Sequence, residues 1–170
     1  MDFDVFIANT LVPEAQKQKP GYNIIRRRIA IIISQWITIK VGKDKKPIVY
    51  QIFQHLLDKN DPLNDQVVRV TAARRFKDCV DEWEFSTDNF LPYAPIILDR
   101  IMALVQEVEM PETKMALLNT ISSIVERMEH HASYHTSALE VFTDFGRSPH
   151  MRTVSSRSSP HYGSSLAKNI

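Results

Sequence analysis

The 170-residue chain has one cysteine, Cys79, only four glycines, and a net charge of only +1. A single thiol excludes an internal disulfide framework and suits a reducing compartment. So little glycine argues against turn-rich β structure and for helix. The near-balanced charge gives no whole-chain attraction to nucleic acid. The longest apolar stretch, around Ile29 to Ile33, is bounded by Arg26, Arg27, Arg28, Ser34 and Gln35 and is too short to cross a bilayer. The start, Met1-Asp2-Phe3-Asp4, has no basic region or cleavage pattern, so no secretory signal is expected. There is no glycine-rich phosphate loop. Nor is there a nucleophile and base at a recognisable spacing, so no enzyme, cofactor or catalytic residue is expected.

What is present is apolar periodicity of the helical kind. Hydrophobic residues make up 44% of the chain and charged residues 24%, which suits one folded domain. A segment from Phe3 to Gln16 reads as a helix broken near Pro13. After Pro20-Gly21, a helix is predicted over Tyr22 to Lys40, with Ile25, Ile29, Ile32, Ile33 and Trp36 on one face. Ile24, Ile31, Ile37 and Ile39 widen that face, as in a helix sandwiched between neighbours. The next helix starts near Pro47, a favoured first-turn residue, and carries Ile48, Val49, Ile52, Phe53, Leu56 and Leu57. Asp61-Pro62 marks a turn. A helix over Asn64 to Val80 then places Val68, Ala72, Phe76, Cys79 and Val80 inward. The acidic connection Asp81 to Asn89 holds Trp83 and Phe85. Helices follow over Leu91 to Val108 and Glu112 to His130.

These helices form hairpins in register. Arg27 precedes Ala30 by three, Arg69 precedes Ala72, and Lys114 precedes Leu117, giving repeats of 42 and 45 residues. That is the spacing of HEAT units, in which no hairpin buries its apolar face alone. The expected fold is therefore an all-α, HEAT-repeat (ARM-like) α-solenoid of about two and a half to three repeats. It occupies residues 1–138. Residues 139–170 are Ser-rich, with few apolar side chains, and are expected to be a disordered tail.

Several clusters invite a binding role. Arg26, Arg27 and Arg28 would meet an acidic partner or form salt bridges within the stack. Arg69 reads as structural, near Asp61 or Asp65. Asp81, Glu82, Trp83 and Glu84 would receive a basic segment through ion pairs and cation–π contact. The competing expectation is that Trp83 and Phe85 pack beneath the connection, as large aromatics usually do. His130, His131 and His135 lack the convergent ligand set that zinc needs, so no metal is expected. Cys79, on an inward face, reads as a packed thiol.

Four stretches resemble the importin-β superfamily, and within it the importin-eleven-like subgroup and its fungal relatives. They are Leu11-Val12-Pro13-Glu14-Ala15-Gln16; Ile24 to Ala30 with Gln35-Trp36; Val68-Arg69 with Thr71-Ala72-Ala73 and Val80-Asp81; and Asn89-Phe90-Leu91-Pro92-Tyr93 followed by Thr113-Lys114-Met115 and Ile124-Val125-Glu126-Arg127. The resemblance covers roughly Phe3 to Ala138, and the chain looks like a central HEAT segment of such a receptor. It implies a noncatalytic role in nuclear protein import, moving between nucleus and cytoplasm through the nuclear envelope. The implied partners are protein cargo, Phe-Gly nucleoporins and Ran in its GTP form, whose contacts lie largely in amino-terminal repeats. No nucleic acid and no membrane insertion are implied. A HEAT scaffold for a signalling or structural complex would share this fold.

Overall fold

The computed structural model describes residues 2–132, which form helices joined by short turns and contain no strand. Six longer helical segments alternate in two layers. The first is built from α1 (Phe3–Phe6) and α2 (Val12–Gln16), joined without a break by a π-helical run, Ile7–Leu11. The others are α3 (Tyr22–Lys40), α4 (Lys46–Leu56), α5 (Gln66–Val80), α7 (Ala94–Glu107) and α8 (Pro111–Ala132), with the single turn α6 (Thr87–Phe90) before α7. Among these residues, no helix is long and apolar enough to cross a membrane.

The packing is that of stacked hairpins. Within each repeat α2 packs on α3, α4 on α5 and α7 on α8. Between repeats, first helices meet first helices (α2 with α4, α4 with α7), and second helices meet second helices (α3 with α5, α5 with α8). The HEAT-type, all-α solenoid read from the sequence is thus the observed fold. The boundary near residue 138 and the Ser-rich tail lie outside the described residues.

Local chemistry sets the helix ends. Asp65 caps α5, its carboxylate accepting the Val68 N–H at 2.8 Å. Ser86 caps α6 through the Asn89 N–H. Pro47 and Pro95 sit in the first turns of α4 and α7, where a missing N–H costs nothing. Gly21 precedes α3 with φ +81°, a conformation that side chains with a Cβ resist.

Two boundaries differ from expectation, both because of proline. Pro13 does not break the first helix. The turn before it widens instead, so that Val12 donates to the Ile7 carbonyl, five residues back. Widening eases the clash that a proline ring makes with the carbonyl four residues earlier. Conversely, the helix expected over Leu91 to Val108 starts only at Ala94, and Thr87–Phe90 forms a separate turn. A continuous helix there would drive Pro95 into the Leu91 carbonyl.

The core is aromatic at its centre. Tyr50 packs edge-on against Phe76 and Phe90, with ring centroids 6.2 and 5.3 Å apart, and Phe53 meets Phe76 at 5.3 Å. Such pairs add about 0.5–1.5 kcal/mol beyond the area they bury. Ala72 and Ala73 are fully buried and let α5 lie close to its neighbours. The wide apolar face expected of α3 is only partly covered. Ile29, Ile33 and Ile37 are buried, while Ile24, Ile25 and Trp36 are exposed.

The burial pattern also shifts the register by one residue. Ile29, Ala30, Ile33 and Ile37 of α3 correspond to Ala72, Ala73, Phe76 and Val80 of α5, a repeat of 43 rather than 42. Arg26, not Arg27, is therefore the counterpart of Arg69.

Candidate functional site

Arg26 is fully buried at the start of α3. Its guanidinium reaches into the turn of the next repeat, meeting Asp61 at 2.8 Å and donating to the Asn64 side-chain oxygen at 2.7 Å. Asn64 in turn donates to the carbonyls of His55 and Asp58, which locks the α4–α5 turn. Burial pushes the Asp61 carboxyl up, but hydrogen bonds from Arg26, the Leu63 N–H and Gln18 outweigh it. They hold Asp61 down at about 2. Nε of Arg26 is buried without a partner, so the pair is held by geometry rather than by full satisfaction.

The same arrangement recurs one repeat on. Arg69 donates to the Asn64 carbonyl and pairs with Glu107 at 2.7 Å, holding that carboxyl below its ordinary value. Its partner is the following turn, not Asp61 or Asp65. Asp65 is instead engaged by Asn23 of the preceding repeat at 2.9 Å. On the first-helix layer, Arg100 of α7 reaches back to Asp58 at 2.8 Å and to the Gln54 carbonyl. Thr120 donates to the Ala73 carbonyl, and Arg127 to that of Asp81. Polar bonds about one repeat apart therefore run along the stack.

The α5–α6 connection is pinned from below. Lys46, fully buried, donates to Glu82 at 2.6 Å and to the Glu84 carbonyl at 3.0 Å. Phe85 tucks against Tyr50 and Phe90. Between these anchors Trp83 stands 90% exposed. Asp81 pairs with Lys77 and Glu84 lies near Lys43, both at the surface.

The expected site residues thus separate. Arg26 and Glu82 are buried inside the stack, where Arg26 pairs with the largely covered Asp61 and Glu82 with the buried Lys46. Arg27, Arg28, Asp81, Trp83 and Glu84 are exposed. Trp83 departs from the ordinary fate of a large aromatic. Cys79 is buried, and burial pushes its thiol up, away from reactivity. The histidines His130, His131 and His135 fall outside the residues whose side chains are described.

Two clefts were not legible in the sequence. One lies between the consecutive first helices α2 and α4. It encloses about 280 Å³, with Ala8, Val12, Ala15, Ile48 and Ile52 in its walls and Gln51 and His55 beside them. The other, about 460 Å³, lies across the second helices and is lined by Arg27, Arg74, Arg75 and Lys77 together with Asp78 and Asn119. Each joins residues roughly a repeat apart, so no local motif could have announced it. Among the described residues, no group of three or more His, Cys, Asp or Glu side chains is placed to hold a metal.

No family model matches this chain, and no solved structure does. Curated relatives do. The chain is similar to importin-11 of Homo sapiens, with 38% identity over 128 residues, covering 75% of this chain and 13% of the relative. Importin-11 of Mus musculus matches at 37% over the same shares. Importin beta-like protein KAP120 of Saccharomyces cerevisiae matches at 33% over 132 residues, 74% of this chain and 12% of the relative. The chain spans about an eighth of the length of these relatives. Likeness over three quarters of its residues, carried by hairpins stacked in the HEAT manner, leads to one conclusion: the chain belongs to the importin-β family, as a HEAT-repeat segment of that solenoid.

Proposed function

We propose that this chain acts as part of a nuclear import receptor, binding protein partners without catalysis and passing between cytoplasm and nucleus at the nuclear envelope. The relatives named importin support that reading, and so does a stack whose faces are extended rather than folded around a substrate cavity. The observation that carries it furthest is the groove between α2 and α4. It has apolar walls, with amide and imidazole groups beside them. That chemistry suits the phenyl ring of a Phe-Gly repeat, held weakly once and usefully many times.

Cargo would use other exposed positions. Trp83, flanked by Asp81 and Glu84, offers an indole face and negative charge to a basic segment. Arg27 and Arg28 offer the opposite charge. Recognition of Ran is not assigned to any of these side chains.

The test is a titration of the chain with Phe-Gly repeat peptides. Substituting the exposed Ala8 by arginine fills the groove, and Ala8→Arg is expected to weaken peptide binding by about tenfold or more. Equal retention of the wild-type chain by a scrambled peptide refutes the groove assignment. In the same format Trp83→Ala is expected to weaken capture of a Lys-rich peptide and leave Phe-Gly binding unchanged. Unaltered Lys-rich binding removes Trp83 from the reading.

A further inference from the structure

The stack pairs most of the arginines that it turns inward. Arg26, Arg69 and Arg100 each meet a carboxylate in a neighbouring repeat, and Arg127 meets backbone carbonyls. The cleft across the second helices is different. Arg27 from α3 and Arg74, Arg75 and Lys77 from α5 line it, with Asp78 the lone acid among its lining residues. Arg75 meets Asp78 only at 3.5 Å between exposed side chains, a pairing worth little in water. Among the described residues, neither Arg27 nor Arg74 has a carboxylate within 4.0 Å. Lys77 pairs with Asp81 at the surface, so Arg27 and Arg74 are the cleft cations that no carboxylate among the described residues contacts, held near Arg75 on the packed helices α3 and α5.

We propose that this cleft binds an acidic stretch of polypeptide. Guanidinium forks suit carboxylates in paired, planar geometry. Ile31 and Val70 supply apolar wall, and Thr71 and Asn119 supply polar groups for a backbone lying between the helices. A nucleic acid fits less well. No aromatic ring lines the cleft for bases to stack on, and the chain as a whole has a net charge of only +1. The inference rests on the chain being a noncatalytic binding segment and names the chemistry of one partner. It does not depend on the Phe-Gly groove, which lies on the first-helix layer.

The experiment is fluorescence anisotropy with the full 170-residue chain and a labelled Glu-rich peptide. The same peptide with Gln for Glu, an oligouridine of matching charge and a Phe-Gly peptide are run in parallel. Binding of the Glu peptide is expected to weaken with salt and to fall about tenfold in Arg27→Glu/Arg74→Glu. Phe-Gly binding is expected to stay as it was. Both substituted side chains are exposed, and circular dichroism verifies the helices. A second variant, Arg74→Gln/Arg75→Gln, removes charge without adding acid and is expected to show a smaller loss. Equal binding of the Gln peptide overturns the proposal, as does unchanged affinity in both variants. Oligouridine that binds more tightly than the Glu peptide, and is lost in the same variants, overturns it in favour of nucleic acid. Loss of Phe-Gly binding alone leaves this cleft standing and removes only the groove reading.

Discussion

At the scale of the residue, the Arg26–Asp61 pair shows why a charge cluster read from sequence divides on folding. Three adjacent arginines cannot all share one helical direction, since each step turns the side chain by about a quarter of a circle or more. Arg26 falls inward and needs a counter-charge, while Arg27 and Arg28 face water. Removing one member of a buried pair strands the other, but unequally: without Asp61 the guanidinium is left fully buried, whereas without Arg26 the carboxylate keeps Gln18, the Leu63 N–H and some contact with water. Asp61→Ala is therefore expected to lower stability by about 3 kcal/mol, and Arg26→Met by less. Denaturant unfolding measures both, and a larger loss for Arg26→Met contradicts the account. The pH dependence follows from the same group. Asp61 sits at about 2 in the fold against an ordinary 3.8, so the unfolded chain takes up its proton first. The stabilisation is complete above pH ~4 and is lost as pH falls toward about 2. Asp61→Asn should flatten that acid limb.

At the scale of the element, backbone rather than side-chain chemistry decides the joins. Gly21 adopts φ +81° between α2 and α3, and a Cβ built there meets nothing within 4 Å. The cost of replacing it is thus conformational and not steric crowding. Gly21→Ala is expected to destabilise by about 1 kcal/mol, and Gly21→Asn by less, because Asn tolerates the left-handed region. Equal losses for the two would point to a packing cause instead. The prolines were visible in the sequence, but their effects were not uniform. Pro13 sits one residue after a turn that could widen, whereas Pro95 stands where α7 begins, and the helix begins again after Pro92. Local sequence named the disturbance.

For the whole molecule, each repeat touches its neighbours, so perturbations should travel by adjacency. Phe76 touches Tyr50, Phe53 and Phe90 at the centre, and Ile7 is buried in the first repeat. Phe76→Ala is expected to cost about 3–5 kcal/mol and to speed amide exchange in every helix. Ile7→Ala should speed exchange in the helices of residues 3–40 more than in α7 and α8. Mass-spectrometric hydrogen exchange reads both, and uniform acceleration by Ile7→Ala would deny the repeat-by-repeat coupling. Apolar side chains also remain open on α8, where Met115 and Leu118 are exposed. Leu117, Ile124 and Met128 of the same helix are buried, so the side that carries Met115 and Leu118 is the one left to water.

The sequence by itself determined the helices and their pairing into hairpins, since apolar spacing of about 3.6 residues and a repeat of some forty residues are local or periodic signals. It also carried the family likeness. Only the tertiary structure decided which charges are buried, that Arg26 rather than Arg27 matches Arg69, and that Trp83 stands in solvent while Phe85 packs beneath. It alone assembled the apolar groove and the basic cleft. Both are made by side chains roughly one repeat apart along the chain, and a pattern read along one helix cannot say which neighbour will face it across the stack.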